Sequence, residues 1–314
     1  MSDAALATQL GPLALKNPVL VSSGTFGTGI EYRDFFDLNL LGGLVTKAVT
    51  LEPRAGNPPP RIAETPSGIL NAIGLENVGL KRFIAEKLPF LQTLDTAVIV
   101  NVAGTTADEY ARVAAALCEH PGISALELNI SCPNVKKGGQ AFGVDPALTS
   151  DLVSAVRRAA SLPLIVKLTP NVTDMAVIAR AALDAGADIL SLVNTFRGMA
   201  IDIRARRPVL GNVTGGLSGP AIRPLALQCV YHVSSCLEAP VIGMGGICGT
   251  EHALEFMMAG AAAVSVGTAN LVKPDAAAGI VSGLSDYCRE NGLSNISQIV
   301  GAAHGIPHSE RPRT

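Results

Sequence analysis

The sequence predicts an α/β fold in which eight strands and their connecting helices close into a (β/α)8 TIM barrel. Two observations support this. Short runs rich in β-branched residues or leucine recur along almost the whole chain of 314 residues, and Ala-rich stretches of helical length lie between them. Such alternation is typical of a parallel sheet, and eight strands are enough to close it. We therefore expect one domain over residues 1–314, because barrels of about 250 residues or more are common.

The apolar runs have the character of strands that are buried on both faces, as a parallel sheet requires. Each run is bounded by Gly, Pro or polar residues. The eight predicted strands lie within residues 17–24, 42–50, 96–104, 125–133, 163–170, 188–195, 239–246 and 262–269.

The stretches between the strands are amphipathic and long enough for helices. Hydroxyl residues Thr105 and Thr106, followed by Asp108 and Glu109, form a favourable helix start. An open doubly wound sheet is the structural alternative, but no G-x-G-x-x-G motif follows the first strand and the strand count matches a barrel. The predicted helices include 106–120, 146–161, 172–186, 219–238 and 249–260.

Three connections are longer than plain turns, and each follows the C-terminal end of a predicted strand. They are the Pro-rich residues 51–75, residues 132–145, and the basic, Gly-rich residues 196–218. Long loops on this face of a barrel commonly cover or build the active site, so we expect long active-site loops there.

Composition excludes several classes of function. The net charge is −2 with scattered Lys and Arg, Trp is absent, and aromatic residues make up 4% of the chain, so a basic or aromatic surface for nucleic acid is not expected. The N-terminus lacks the pattern of a signal peptide, and no apolar run is long enough to cross a membrane. We expect a cytoplasmic protein without a membrane or nucleic-acid partner.

The cysteine pattern predicts free thiols. The six cysteines contain no C-x-x-C pair and no spacing typical of zinc or iron–sulfur ligands. We therefore expect no metal site on this chain.

Polar residues fall at or just beyond the C-terminal ends of the predicted strands, and in a barrel these positions converge on one mouth. Some polar residues end any strand, but a purely structural role explains poorly two lysines and three asparagines in otherwise apolar strands, because burying them unpaired is costly. The strand-end residues are Ser22, Lys47, Asn101, Asn129, Lys167, Asn194 with Thr195, Gly245 with Gly246, and Gly267 with Thr268.

Glycines after the seventh and eighth predicted strands indicate a phosphate site. Gly246 and Gly267 lie at strand-to-helix junctions, where exposed backbone N–H groups favour an anion. Tight turns alone are the alternative role for these glycines. The spacing does not distinguish a phosphorylated substrate from a phosphorylated cofactor.

Cys132, in the loop after the fourth predicted strand, is a candidate nucleophile or base. A loop cysteine is by itself more often inert. Here Asn129 and Asn134 flank it with neutral amides that suit a planar, polar substrate, and Gly138 and Gly139 would let the loop open and close.

Taken together, these segments resemble the class one dihydroorotate dehydrogenases, in particular the catalytic subunit of the NAD-linked subclass (class 1B). The resemblance runs from about residue 5 to about residue 303. It rests on VSSGTFG, TKAVT, NAIGLEN, NVAG, ELNISCPN, VKLTPN, VNT, NVTGGLSGP, GMGGI and VGTAN, in this order along the chain.

The resemblance implies FMN as the cofactor and assigns residues to it and to the substrate. Cys132 would be the catalytic base. FMN contacts would be Ser22, Lys47, Ala48, Asn101, Asn129, Lys167, Val193, Gly219, Gly245, Gly246, Gly267 and Thr268. Substrate contacts would be Lys47, Asn71, Ala72, Ile73, Gly74, Leu75, Asn129, Asn134, Asn194 and Thr195.

The resemblance also implies the reaction and the partners. Dihydroorotate would be oxidised to orotate in de novo pyrimidine (UMP) biosynthesis, and the electrons would reach NAD through a separate subunit that carries FAD and a [2Fe–2S] cluster. This chain would form a homodimer within a heterotetramer. The alternatives are a fumarate-linked dihydroorotate dehydrogenase, a Schiff-base aldolase or isomerase that uses Lys47 or Lys167, and a non-catalytic barrel that binds a phosphate ligand.

Overall fold

The computed structural model describes residues 5–130 and 142–305. Strands in these residues are β1 (Thr8–Leu10), β2 (Leu13–Leu15), β3 (Val19–Val21), β4 (Gly43–Val45), β5 (Ile62–Thr65), β6 (Gly68–Asn71), β7 (Ala97–Val102), β8 (Ala125–Asn129), β9 (Leu164–Lys167), β10 (Ile189–Leu192), β11 (Phe196–Gly198), β12 (Ile201–Asp202), β13 (Arg207–Pro208), β14 (Gly215–Ser218), β15 (Val241–Met244) and β16 (Ala263–Val266). Helices are α1 (Gly79–Arg82), α2 (Leu88–Leu91), α3 (Ala107–Cys118), α4 (Pro146–Ala159), α5 (Met175–Asp184), α6 (Arg223–Cys236), α7 (Thr250–Met258), α8 (Ala269–Val272) and α9 (Ala276–Glu290).

Eight parallel strands close into a barrel in the order β3-β4-β7-β8-β9-β10-β15-β16, with β16 paired to β3. Each of the eight predicted segments contains one of these strands. The predicted (β/α)8 barrel is therefore confirmed.

A short hairpin plugs the N-terminal end of the barrel. Strands β1 and β2 pair with each other, and the turn at Gly11 approaches the start of β10 at Asp188 and Ile189. The hairpin leucines Leu10 and Leu13 pack into a buried cluster inside the barrel. Because side chains alternate across a strand, every barrel strand contributes at least one inward side chain to this apolar cluster: Leu20, Val45, Ile99, Ala125, Ile165, Ile189, Ile242 with Met244, and Ala263.

The helices pack around the outside of the barrel, and all five predicted helices are present as α3 to α7. The side chain of Thr106 accepts a hydrogen bond from the N–H of Glu109 and so caps α3, as the sequence predicts. Asp145 caps α4 and Asp174 caps α5 in the same way. Each such cap contributes about 1 kcal/mol. No helix in the two described ranges is long and apolar enough to cross a bilayer.

Two of the long connections form a second, antiparallel sheet. Its strand order is β11-β14-β6-β5, so residues 51–75 and 196–218 pair with each other across the barrel mouth. The sequence predicts only long loops here, because strands of three or four residues that pair across so large a sequence separation have little local signal. The third connection, 132–145, lies mostly outside the described residues.

Candidate active site

A cavity of about 900 Å³ opens at the C-terminal ends of the barrel strands, below the antiparallel sheet. Its lining brings together residues from the ends of seven barrel strands, all except β7, and from both long connections. The predicted site residues that line it are Ser22, Lys47, Ala48, Asn71, Ala72, Ile73, Gly74, Leu75, Asn129, Lys167, Val193, Asn194, Thr195, Gly219, Gly245, Gly246, Gly267 and Thr268.

Asn101 is the predicted cofactor contact that does not line the cavity in the described structure. Its side chain is fully buried, and its Nδ2 donates a hydrogen bond of 2.6 Å to Oε1 of Glu127. Its Oδ1 is buried and has no hydrogen-bond partner among the described residues. A buried, unpaired acceptor is costly, so this oxygen is suited to a donor on a bound ligand.

Glu127 is the centre of a polar layer just below the cavity floor. Its Oε2 accepts a 2.9 Å hydrogen bond from Ser191 Oγ, and its Oε1 lies 3.8 Å from the Nζ of Lys167. Sequence reasoning passed over Glu127, although a charged residue in an otherwise apolar strand was the argument that singled out Lys167. The same argument, applied to strand β8, would have found it.

Backbone geometry makes the turn after β15 dependent on glycine. Gly245 and Gly246 have φ values of +126° and +76°. A Cβ on Gly245 would lie 2.6 Å from Cβ of Ala226, and one on Gly246 would lie 2.7 Å from Cβ of Arg223. The backbone of Gly245 and Gly246 therefore lines the cavity without a side chain in between, as an anion-binding turn requires.

Strands β14 and β16, with the residues that follow them, form the part of the cavity wall beside the turn at Gly245 and Gly246. Thr268 Oγ1 donates a 2.9 Å hydrogen bond to Ser218 Oγ, and Ser22 Oγ lies 2.8 Å from Ser265 Oγ. Gly219, with φ of +98°, follows Ser218. Hydroxyl groups and backbone N–H groups thus surround one end of the cavity.

Lys47 supplies a cation at the other part of the cavity. Burial lowers the pKa of Lys47 below its ordinary value; nearby Glu76 opposes this shift, and Arg61 adds to it. The chain continues from Lys47 through Ala48 to Thr50, whose backbone N–H and hydroxyl both donate hydrogen bonds to Oδ1 of Asn77. A partly buried ammonium of this kind suits a carboxylate ligand.

Asn171 is a further cavity residue that sequence reasoning did not single out. Its Nδ2 donates to the carbonyl of Thr195 at 3.0 Å, and its Oδ1 accepts from the N–H of Arg197 at 2.9 Å. Asn171 thereby fixes the backbone that carries Asn194 and Thr195. Its position in the VKLTPN motif, two residues beyond Thr169, was the available signal.

Cys248 also lines the cavity, although the sequence suggested no role for it. Burial raises the pKa of its thiol, and Arg223 opposes this shift. Cys248 is therefore a poor base at neutral pH. The predicted base Cys132 and the predicted substrate contact Asn134 lie outside the described residues. Among residues 5–130 and 142–305, no cluster of His, Cys, Asp or Glu could hold a metal ion.

The cavity residues fit FMN. The glycine turn has room for a phosphate, a volume of about 900 Å³ is large enough for a mononucleotide beside a small substrate, and Lys167 with the unpaired Asn101 Oδ1 offers a cation and an acceptor. These features define the class of protein: a (β/α)8 barrel with a cavity at its mouth that suits a planar ligand bearing a phosphate.

Comparisons with known proteins identify the family. The sequence model of the family described as dihydroorotate dehydrogenase matches residues 5–287, so the chain belongs to the dihydroorotate dehydrogenase family. The chain is 54% identical over 302 residues to a Geotalea daltonii protein, covering 96% of this chain and 99% of that one. It is 57% identical over 298 residues to a Desulforudis audaxviator protein, covering 95% and 97% respectively. Both relatives are named "Dihydroorotate dehydrogenase B (NAD(+)), catalytic subunit".

A solved structure of more distant sequence shares the fold. The crystal structure of DHODH in complex with ferulenol from Eimeria tenella superposes with a TM-score of 0.79 at 22% identity, covering 97% of this chain and 90% of that chain. The family match and the named relatives confirm the resemblance to the NAD-linked subclass. They also confirm that the chain is an oxidoreductase, and so decide against the Schiff-base enzyme and the non-catalytic barrel.

Proposed function

We propose that this chain oxidises dihydroorotate to orotate with FMN as its cofactor, and that the electrons pass to NAD through a separate subunit. The observation that carries the proposal is the convergence of the strand-end lysines, asparagines and glycines on one cavity at the barrel mouth. The names of the relatives support the same reaction.

Residues at two ends of the cavity would hold FMN. Backbone N–H groups of Gly245, Gly246 and Gly267, with the Thr268 hydroxyl, would bind its phosphate. Lys167 would lie beside the ring, where a positive charge favours a negatively charged reduced form. FMN, when bound, supplies the acceptor for a hydride from the substrate.

The substrate would lie between the cofactor site and the antiparallel sheet. Lys47 would neutralise its carboxylate, and Asn71, Asn129 and Asn194 would hold the ring amides by hydrogen bonds. Residues 71–75 wall this part of the cavity. Such contacts fix the orientation of the two carbon–hydrogen bonds that break.

Cys132 would act as the base. Its thiolate takes the proton on the carbon alpha to the ring carbonyl and becomes a thiol, the neighbouring carbon gives up a hydride, and a double bond forms between the two carbons. A thiol with an ordinary pKa of about 8.5 becomes a better base as pH rises, so activity should increase through the mildly alkaline range.

Electrons would leave through a partner. We propose that this partner carries FAD and a [2Fe–2S] cluster and joins a homodimer of this chain in a heterotetramer; the "catalytic subunit" in the relatives' names supports a separate subunit. The six cysteines of this chain lack iron–sulfur spacing. The cytoplasmic location expected from the sequence stays a prediction.

Spectroscopy of the purified chain tests the proposal. We expect a yellow protein that absorbs at about 450 nm and bleaches when dihydroorotate is added without oxygen. Cys132→Ser is the matched control: it should bind FMN equally and bleach far more slowly. A colourless protein that cannot be loaded with FMN would refute the cofactor assignment.

A comparison of acceptors tests the route of the electrons. The chain alone should reduce NAD very slowly, and addition of the partner subunit should restore the rate. Substantial NAD reduction by the chain alone would refute the need for a partner. Rapid turnover with fumarate alone would favour the fumarate-linked alternative.

A further inference from the structure

Glu127 is a negative charge enclosed within the barrel. The residue is fully buried, and its two carboxylate oxygens have defined partners, Asn101 on strand β7 and Ser191 on strand β10. A buried charge is expensive unless it is paired and hydrogen-bonded. Strands β7 and β10 therefore supply the hydrogen-bond donors that keep this carboxylate in place, and β9 adds the charge of Lys167, whose Nζ lies 3.8 Å from Oε1.

Lys167 stands between this carboxylate and the cavity. Its side chain is 7% exposed, its Nζ lies 3.8 Å from Glu127 Oε1, and it lines the cavity wall. Its ammonium group therefore interacts with Glu127 on one side and can interact with a ligand in the cavity on the other. Because both side chains are buried, their charges interact much more strongly than they would in water.

Glu127 also determines which end of the Asn101 amide is free. An ionised carboxylate accepts hydrogen bonds and cannot donate them. Asn101 must therefore turn its Nδ2 toward Glu127, which leaves the Oδ1 as the unpaired acceptor. The identity of residue 127 thus decides both the net charge below the ligand and the polarity of the amide beside it.

We propose that Glu127 is a positioning residue that sets, through Lys167 and Asn101, how strongly the site favours reduced over oxidised FMN. The proposal rests on the proposed function, because it requires FMN in the cavity. A negative charge at residue 127 offsets part of the attraction between Lys167 and a reduced, anionic cofactor. Removing that charge leaves Lys167 with more positive charge for the reduced form.

The test is the two-electron midpoint potential of the FMN-loaded chain, measured by reductive titration against a reference dye. In Glu127→Gln, which keeps the shape of the side chain and one acceptor oxygen but removes the charge, we expect reduced FMN to be favoured at least tenfold more over oxidised FMN. A tenfold change corresponds to about 30 mV for a two-electron couple. The potential should move in the positive direction.

Two further variants separate charge from structure. Glu127→Asp keeps the charge but withdraws it from Lys167 by one methylene, so its potential should fall between those of the wild type and Glu127→Gln. Glu109→Gln is the matched control, because it removes a half-buried carboxylate that is bonded to Thr105 and does not line the cavity. Its potential should equal that of the wild type.

The outcomes distinguish the two proposals. Unchanged or more negative potentials in both Glu127 variants, in protein that holds FMN and turns over, would overturn the role of Glu127 alone. An equal shift in Glu109→Gln would overturn it too. A wild-type chain that takes up no FMN would overturn the proposed function and this proposal with it. If Glu127→Gln does not fold, the sign of the shift in Glu127→Asp decides.

Discussion

Gly246→Ala tests whether the turn after β15 binds the phosphate through its backbone. The residue has φ of +76°, and an added Cβ would lie 2.7 Å from Cβ, 2.9 Å from Cα and 2.9 Å from N of Arg223. A left-handed conformation costs an L-residue about 1–2 kcal/mol. Overpacking against backbone atoms that cannot rotate away adds about 1–3 kcal/mol. The folded state should therefore lose about 2–5 kcal/mol.

Relief of this clash requires the turn to shift, and the shift should weaken FMN binding. Loss of one hydrogen bond to a charged group costs about 1.5–3 kcal/mol, which corresponds to a Kd for FMN about 10- to 150-fold higher. Thermal unfolding of the FMN-free chain measures the stability change, and titration of FMN by its fluorescence measures the affinity.

Gly249→Ala is the matched control in the same loop. Gly249 has an extended backbone with φ of −167°, and no atom lies within 4 Å of the point that a Cβ on this residue would occupy. Its substitution should cost less than about 1 kcal/mol, as expected for a helix N-cap glycine with space for a Cβ, and leave FMN affinity unchanged. Equal melting temperatures and equal FMN affinities for the two variants would refute the argument from backbone geometry.

Four other predictions concern Lys47, Cys132 and Asn171. Burial lowers the pKa of Lys47 below 10.5, so the Kd of orotate should be constant below the lowered pKa and rise up to tenfold per pH unit above it. Lys47→Met should bind orotate weakly and without this pH dependence. An identical pH profile in Lys47→Met and the wild type would contradict the assignment of Lys47 to the substrate carboxylate. Since folded Lys47 binds fewer protons than unfolded Lys47 between its lowered pKa and 10.5, its contribution to the free energy of unfolding should rise with pH in that window and vanish in Lys47→Met. Cys132→Ser should lower kcat by at least about 100-fold and move the rise of the pH–rate profile to higher pH, and an unchanged profile would remove Cys132 from the role of base. Asn171→Ala, which frees the backbone at Thr195 and Arg197, should raise the KM for dihydroorotate about tenfold, equivalent to about 1.4 kcal/mol, with a smaller change in kcat.

The barrel was predictable because its evidence is local. Each strand and the following helix are adjacent in the chain, and a strand that is buried on both faces has a continuous run of apolar residues in the sequence. Parallel strands in a closed barrel all end at one mouth, so the position of Lys47, Asn129 or Lys167 at a strand end was enough to place them together. The antiparallel sheet was not predictable in this way, because β6 and β14 pair although they lie far apart in the chain.

The sequence by itself determined the fold class and predicted the barrel mouth, with the strand-end residues around it, as the site, because these follow from periodicity and order along the chain. Only the tertiary structure decided how those residues interact. It showed that Asn101 is fully buried with its Oδ1 unpaired among the described residues, that Glu127 joins three strands in one polar layer, and that Gly246 and Gly249 differ in their tolerance of a side chain. Such distinctions depend on distances between atoms far apart in the chain, and these distances are set only when the strands and helices pack.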